Sequence, residues 1–303
     1  MTPDLVLLGN LLVDDLVFAD GRTRMGQPGG AMLYASLASA LWGVRTGCVS
    51  PRGDDYPAEA LAELARRGVL LDGVVPLDRP GVRTWLLYEG RVRRVVHRLG
   101  CPTHEEVSPT PAHVPQGWHA ARAFHMGPIP IAMQEDIALR FGAGDALVSI
   151  DPHELVTEES LPRWRELLAR TDVFLPSEDE LRLADTRSDP HASLRRLAGG
   201  RLKYVAFKRG ASGGVLYDVL ADRFHEWEPR ARDVVDPTGA GDGFAAGLLS
   251  GLLSGRPVEE CLRRAVVTAS FAIEAWGPAA LLAATRADVE ARLGEWFGKE
   301  RAA

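Results

Sequence analysis

The sharpest chemical signal in the chain is the run Asp236-Pro237-Thr238-Gly239-Ala240-Gly241-Asp242-Gly243-Phe244, followed by a helix-compatible stretch at 245–253. Small residues let backbone N–H groups crowd together. At a helix N-terminus the unpaired N–H groups and the peptide dipole both favour a phosphate or another oxyanion, so Gly239, Ala240 and Gly241 are expected to donate to one. Asp242 sits where its carboxylate faces the same anion. Two readings of it stand side by side: a cap that satisfies a helix N–H, or a general base within hydrogen-bond reach of an attacking hydroxyl. The run has neither the GxxxxGK[ST] order of a P-loop nor the GxGxxG order of a dinucleotide fold.

The elements that must hold this turn follow from the hydrophobic pattern. Short apolar runs alternate with amphipathic segments, which predicts an α/β fold with a parallel-rich sheet flanked by helices. Strands are expected at 5–8, 46–50, 123–126, 146–150, 173–175 and 204–207, and helices at 30–42, 57–67, 133–141, 162–170, 178–184, 192–197, 239–253 and 258–274. Residues 10–25 and 82–99 break the rhythm, and 82–99 carries two β-type runs meeting at Glu89-Gly90-Arg91, a hairpin pattern. These two stretches are expected to pair into a small sheet that forms a lid; edge strands of the main sheet are the alternative. No repeat or low-complexity tract divides the chain, so residues 1–303 read as a single domain.

Composition narrows the function classes. The 303 residues are 46% hydrophobic and 25% charged, and 35 Lys+Arg against 41 Asp+Glu give a formal charge of -6. A chain of this length buries about three quarters of its unfolded surface and needs no disulfide or metal staple. The mild acidity argues against a nucleic-acid or anionic-membrane partner, and the short basic runs at 91–94 and 195–196 read as solvated faces. Cys48, Cys101 and Cys261, without CxxC spacing, imply neither a disulfide framework nor a zinc site. His97, His125 and His153 each read as a satisfied or exposed side chain and not as a metal ligand. The run at 5–8 is too short for a signal-peptide core, and no apolar stretch approaches the roughly 20 residues of a membrane span. A cytoplasmic setting is therefore expected.

The nine residues 236–244 resemble the C-terminal signature of the ribokinase-like (PfkB) family of carbohydrate and nucleoside kinases. The resemblance implies that Asp242 is the general base and that the backbone at 239–242 forms the anion hole for the γ-phosphoryl group of ATP. Phosphoryl transfer asks mostly for such positioning and charge stabilisation. Other positions follow in family order along nearly the whole chain. Residues 9–14 are similar to the segment after the family's first strand, which assigns Asp14 to substrate hydroxyls. Gly29-Gly30 resembles the diglycine that lets substrate approach the backbone, and Tyr34 and Leu12 stand where many of the family's sugar kinases carry asparagines. Residues 174–180 are similar to the NxxE motif with Ser177 in place of Asn, which implies that Glu180 helps hold Mg2+ through water. Residues 208–214 resemble the segment lying along the nucleotide phosphates, which brings Lys208, Gly210 and Gly213 to ATP together with Thr238, Gly239 and Gly241. Arg232 is a phosphate or charge partner by position, and 269–278 is similar to the helix and loop bordering the adenine pocket. Taken without the family, these are ordinary features: Asp14 a turn former, Gly29-Gly30 a loop, Glu180 an acid at a helix start, 208–214 a β-turn and Tyr34 a core residue.

The aromatic Tyr34 together with Ser177 most resembles the myo-inositol kinases, so the expected acceptor is a sugar or cyclitol. A nucleoside kinase of the same family is the enzymatic alternative, and a non-catalytic sugar-binding regulatory protein is the alternative outside enzymes. The intact Asp242 and its glycine turn favour the kinase. His97 and Arg98 lie in the lid without an assigned role. The lid, with open edges and apolar faces, is also a candidate homodimer surface.

Overall fold

The computed structural model describes residues 1–89 and 92–298. Nine strands form one sheet, in the order Arg223–Trp227, Gly214–Asp218, Tyr204–Lys208, Val173–Phe174, Leu147–Ile150, Ala123–Met126, Leu5–Leu8, Thr46–Arg52, Leu70–Pro76. Every pairing from Tyr204–Lys208 to Leu70–Pro76 is parallel, and the two beyond it are antiparallel. The interior strand Leu5–Leu8 is a continuous apolar run because helices cover both of its faces. Val6 and Leu8 pack with Phe124, Met126 and Ile137 on one side, while Leu5 and Leu7 pack with Leu33, Leu37 and Ala246 on the other. The edge strands Leu70–Pro76 and Arg223–Trp227 are only partly buried and carry no such run, so hydrophobic pattern alone does not reveal them.

The helix Ala240–Leu253 is seated against Val258–Ile273 through glycines four residues apart. A Cβ on Gly247 would stand 2.6 Å from the Arg264 carbonyl oxygen, and one on Gly251 2.7 Å from Cys261 Sγ. Close helix approach of this kind fixes the N-terminus of Ala240–Leu253 relative to the sheet.

The helix expected at 178–184 does not form. Glu180 Oε2 accepts the Ser177 N–H at 2.7 Å and the chain makes a single turn. It then enters the short strand Leu181–Arg182, which pairs in parallel with Val156–Thr157. Burial of Leu181 in the core outweighs the local helix preference of the acidic run.

The two stretches that broke the alternation pair with each other and not with the main sheet. Their four strands lie in the order Thr23–Gly29, Leu12–Phe18, Arg83–Glu89, Val92–His97. Gly90 and Arg91, within the expected turn and the basic run, lie outside the described residues. A bulge between Asp14 and Leu16 interrupts the pairing with Thr23–Gly29. Asp15, fully buried there, takes Arg83 Nε and Nη2 at 2.7 Å each and the Gly26 N–H at 2.7 Å. Side chains alternate along a strand and bulges re-aim them, so neighbouring Asp14 is left to a different role. Among the described residues no helix is long and apolar enough to cross a membrane.

Candidate active site

Gly239 caps the helix Ala240–Leu253 in the left-handed conformation, φ 82°, and a Cβ there would collide with the Tyr34 ring. Only glycine meets both demands. The first i→i−4 bond runs from Gly243 N–H to the Gly239 carbonyl at 2.8 Å, so the N–H groups of Ala240, Gly241 and Asp242 precede the helical ladder. That of Ala240 makes a long contact to the Pro237 carbonyl, 3.3 Å. Because Gly239 occupies the cap and Asp242 is the third helical residue, the N-cap reading of Asp242 falls away.

Under this helix end lies a buried ion pair. Lys208 Nζ donates to Asp151 Oδ2 at 2.7 Å and Oδ1 at 2.9 Å, and a Cβ on Gly241 would stand 3.3 Å from the ammonium. Strand geometry delivers it: Lys208 ends Tyr204–Lys208 and bridges to Ser177, which brings the Glu180 turn alongside. Burial raises Asp151 to about 6 against the pull of Lys208. Burial also works against the ammonium, but Asp151, Glu180 and Asp242 hold Lys208 above its ordinary range. An ammonium at the positive end of a helix dipole is a pairing that a bound anion relieves.

Among the described residues no group of three or more His, Cys, Asp or Glu is arranged to hold a metal. Asp151 and Glu180 beside Lys208 nonetheless supply hard carboxylate oxygens, a donor set that suits a Mg2+ ion taking its other ligands from water and phosphate.

The first residue of the signature run organises the rest. Asp236, 1% exposed, accepts the Thr238 N–H at 3.0 Å, the Gly277 N–H at 3.0 Å and the Tyr88 hydroxyl at 2.8 Å. Tyr88 belongs to the small sheet, so this carboxylate ties the sheet to the helix turn. Phe18 and Tyr88 meet Trp276 edge-on at 4.5 and 5.1 Å, which closes the same junction with aromatic contacts.

On the opposite wall Asp14, 5% exposed, lies against Gly29, where any Cβ would overlap its carboxylate. Gly30, φ 94°, passes so close to the Asn10 carbonyl that a side chain is excluded. Tyr34 is 2% exposed, with its ring under Gly239, and burial followed by Asp14, Asp236 and Asp242 pushes its phenol well above the ordinary range. Asp14, Tyr34, Gly239, Asp242, Lys208 and Glu180 are thus brought together.

Other expected positions find partners elsewhere. Gly213 approaches the Trp227 carbonyl of its own hairpin, and Gly210 needs only its positive φ of 50°. Arg232 is turned to Glu295. His125 is fully buried against Ser149 Oγ, 3.1 Å. His97 and His153 flank His104, with centroids 5.2 and 4.8 Å from it. Sequence reading passed over Asp151, Asp236 and Tyr88 as functional groups. Asp151 had a usable signal, since it directly follows the expected strand at 146–150 and ligands of parallel α/β sheets gather at the carboxyl ends of strands.

A sequence model of the pfkB family carbohydrate kinases matches residues 14–284. The chain is 32% identical over 280 residues to cytidine kinase of Thermococcus kodakarensis, covering 90% of this chain and 97% of that protein. It is 27% identical over 283 residues to fructokinase of Escherichia coli, covering 84% and 86%. The fold superposes on Arabidopsis thaliana ribokinase complexed with ribose and ATP with a TM-score of 0.74 at 23% identity, over 97% of this chain and 99% of that one.

Proposed function

Given that the chain belongs to the pfkB family of carbohydrate kinases, we propose that this phosphotransferase carries the γ-phosphate of ATP to a hydroxyl of a nucleoside of the cytidine type. The observation that carries the chemistry is the convergence at Gly241 of a helix N-terminus, the Lys208 ammonium and the Asp242 side chain. Likeness to a cytidine kinase over nearly the full length of both chains favours a nucleoside acceptor. The cyclitol reading came from the resemblance of Tyr34 and Ser177 to the myo-inositol kinases; Tyr34, 2% exposed, packs its ring under Gly239.

In this mechanism Asp242 accepts the proton of the attacking hydroxyl, which Asp14 orients from the opposite wall. The N–H groups of Gly241 and Asp242, with Ala240 beside them, stabilise charge developing on the transferred group, and Lys208 adds a fixed positive charge. Asp151 keeps Lys208 in place and, with Glu180, would hold Mg2+ partly through water; the ion supplies charge neutralisation at the phosphates. Gly29-Gly30 lets the acceptor approach the backbone, while Thr238 borders the nucleotide. The small sheet closes over the acceptor, excluding water and suppressing ATP hydrolysis. Its exposed Met25, Trp85 and Val96 extend the proposal to a homodimer through this sheet, which sedimentation velocity reads directly.

ADP release from MgATP, measured with cytidine, uridine, adenosine, ribose, fructose and myo-inositol for wild type and Asp242→Asn, tests this reading. Cytidine is expected to give the highest kcat/KM, and the variant to lose turnover with every acceptor. Preference for fructose or myo-inositol overturns the nucleoside assignment, and a fully active Asp242→Asn overturns the mechanism.

A further inference from the structure

A circuit of polar groups runs from Asp14 round to Asn10, four residues earlier in the chain. Asp14 is in register with Thr84, whose hydroxyl oxygen lies 3.3 Å from His97 Nδ1. His97 meets the ring of His104 at 5.2 Å, and His104 stacks on His153 at 4.8 Å and 14°. Ser108 donates to the His104 carbonyl at 2.6 Å, and its hydroxyl oxygen lies 3.4 Å from the Asn10 side-chain amide. The circuit therefore returns to the strand entry that carries Asp14.

Within it, both ring nitrogens of His104 and Nδ2 of Asn10 are buried without a hydrogen-bond partner among the described residues. Buried polar groups are ordinarily paired, because leaving one unsatisfied forfeits its hydration. Three such atoms, on segments linked to the Asp14 strand through Thr84 and His97, point to a polar group of the acceptor itself.

On the reading of the acceptor as a nucleoside, we propose that His104 and Asn10 hydrogen-bond the polar edge of its base, with His97 positioning the His104 ring. The chemistry of the pair selects that ligand. Burial, with His153 and His97 alongside, pushes His104 down to about 4, so at neutral pH its imidazole is uncharged and offers one donor and one acceptor. Asn10 Nδ2 adds a second donor. A neutral set with donors and an acceptor is ill suited to a phosphate, which calls for cations, and matches a base such as cytosine, whose ring nitrogen and carbonyl accept while its amino group donates.

The test compares cytidine with 3-deazacytidine, which lacks the ring nitrogen acceptor, in the full-length enzyme and in His104→Phe, which keeps a flat ring and removes both nitrogens. Wild type is expected to favour cytidine by about tenfold in kcat/KM, and His104→Phe to lose that preference, with its effect on cytidine falling on KM more than on kcat. Equal discrimination by wild type and His104→Phe overturns the assignment while leaving the nucleoside reading intact. Turnover with fructose or ribose and with no nucleoside shows instead that the acceptor reading has failed, and the assignment with it. Should His104→Phe not fold, the exposed position 97 decides through His97→Phe: a raised KM for cytidine supports the assignment and an unchanged one overturns it.

Discussion

The wall assigned to the phosphates and the wall assigned to the acceptor use similar side chains but are assembled in opposite ways. On the first, nine consecutive residues, 236–244, supply the left-handed glycine, the helix end and the carboxylate, while Lys208, Asp151, Glu180 and the Tyr34 ring come from elsewhere. On the second, Asn10, Asp14, Thr84, His97 and His104 arrive from both the small sheet and the connections leading into and out of it. A phosphate presents the same oxygens in every reaction, so one short segment can hold it. An acceptor differs from kinase to kinase, and a wall built from separate segments can change one contact at a time. The comparison implies that damage on the phosphate wall falls on all acceptors alike, whereas damage on the acceptor wall changes the order of preference among them.

Asp242→Asn is the strongest test. Loss of a general base is expected to lower kcat by roughly 100- to 10,000-fold for every acceptor, with thermal unfolding little changed. A loss confined to one acceptor would break the comparison. Lys208→Met comes next, because it strands a buried Asp151 carboxylate; a destabilisation of about 3–5 kcal/mol is expected in chemical denaturation, together with weaker MgATP use. Asp151→Asn should be milder, since burial already disfavours the charge it removes and Glu180 and Asp242 still face the Lys208 ammonium.

Tyr88→Phe probes the join between the walls. Loss of its 2.8 Å bond to Asp236 is expected to lower kcat about tenfold and to raise acceptor-independent ATP hydrolysis, read as ADP release without acceptor. Unchanged kinetics would mean that the small sheet and the helix turn act independently. The smallest effect is on the acid side of the stability curve. In the unfolded chain an imidazole takes its proton near the ordinary histidine value of 6.5, whereas folded His104 stays neutral until about 4 and His125 until about 3. Between those limits the unfolded state binds more protons, so stability falls as pH drops from 6.5 towards 4. His104→Phe should shrink that fall in melting temperatures taken at pH 7 and pH 5, and an unaltered slope would show that His104 is not held neutral by its burial.

What could be read from the chain, and what could not, divides along the same line. The glycine turn with Asp242, the diglycine before the helix Ala31–Leu41 and the fully buried strands were legible because each is a demand of local backbone: a positive φ, a close approach, or a strand covered on both faces. The pairing of 10–25 with 82–99 was legible only as an interruption of the α/β alternation. The helix expected at 178–184 was lost because burial of Leu181 overrides local preference, a competition that only three-dimensional packing settles.

Asp14 and Asp15 show the boundary most sharply. As a sequence they are two adjacent aspartates; a bulge in the small sheet sends Asp15 to Arg83 and leaves Asp14 against Gly29. By itself the sequence determined the α/β class and the glycine turn with a carboxylate at its helix end, since these depend on residues that are near neighbours along the chain. Only the tertiary structure decided that Lys208 meets Asp151 under that turn, that Tyr88 grips Asp236, and that three histidines line up in a row from Thr84. Most of those groups lie dozens of residues or more apart, and what joins them is sheet register and helix packing, to which no local pattern of residue types is tied.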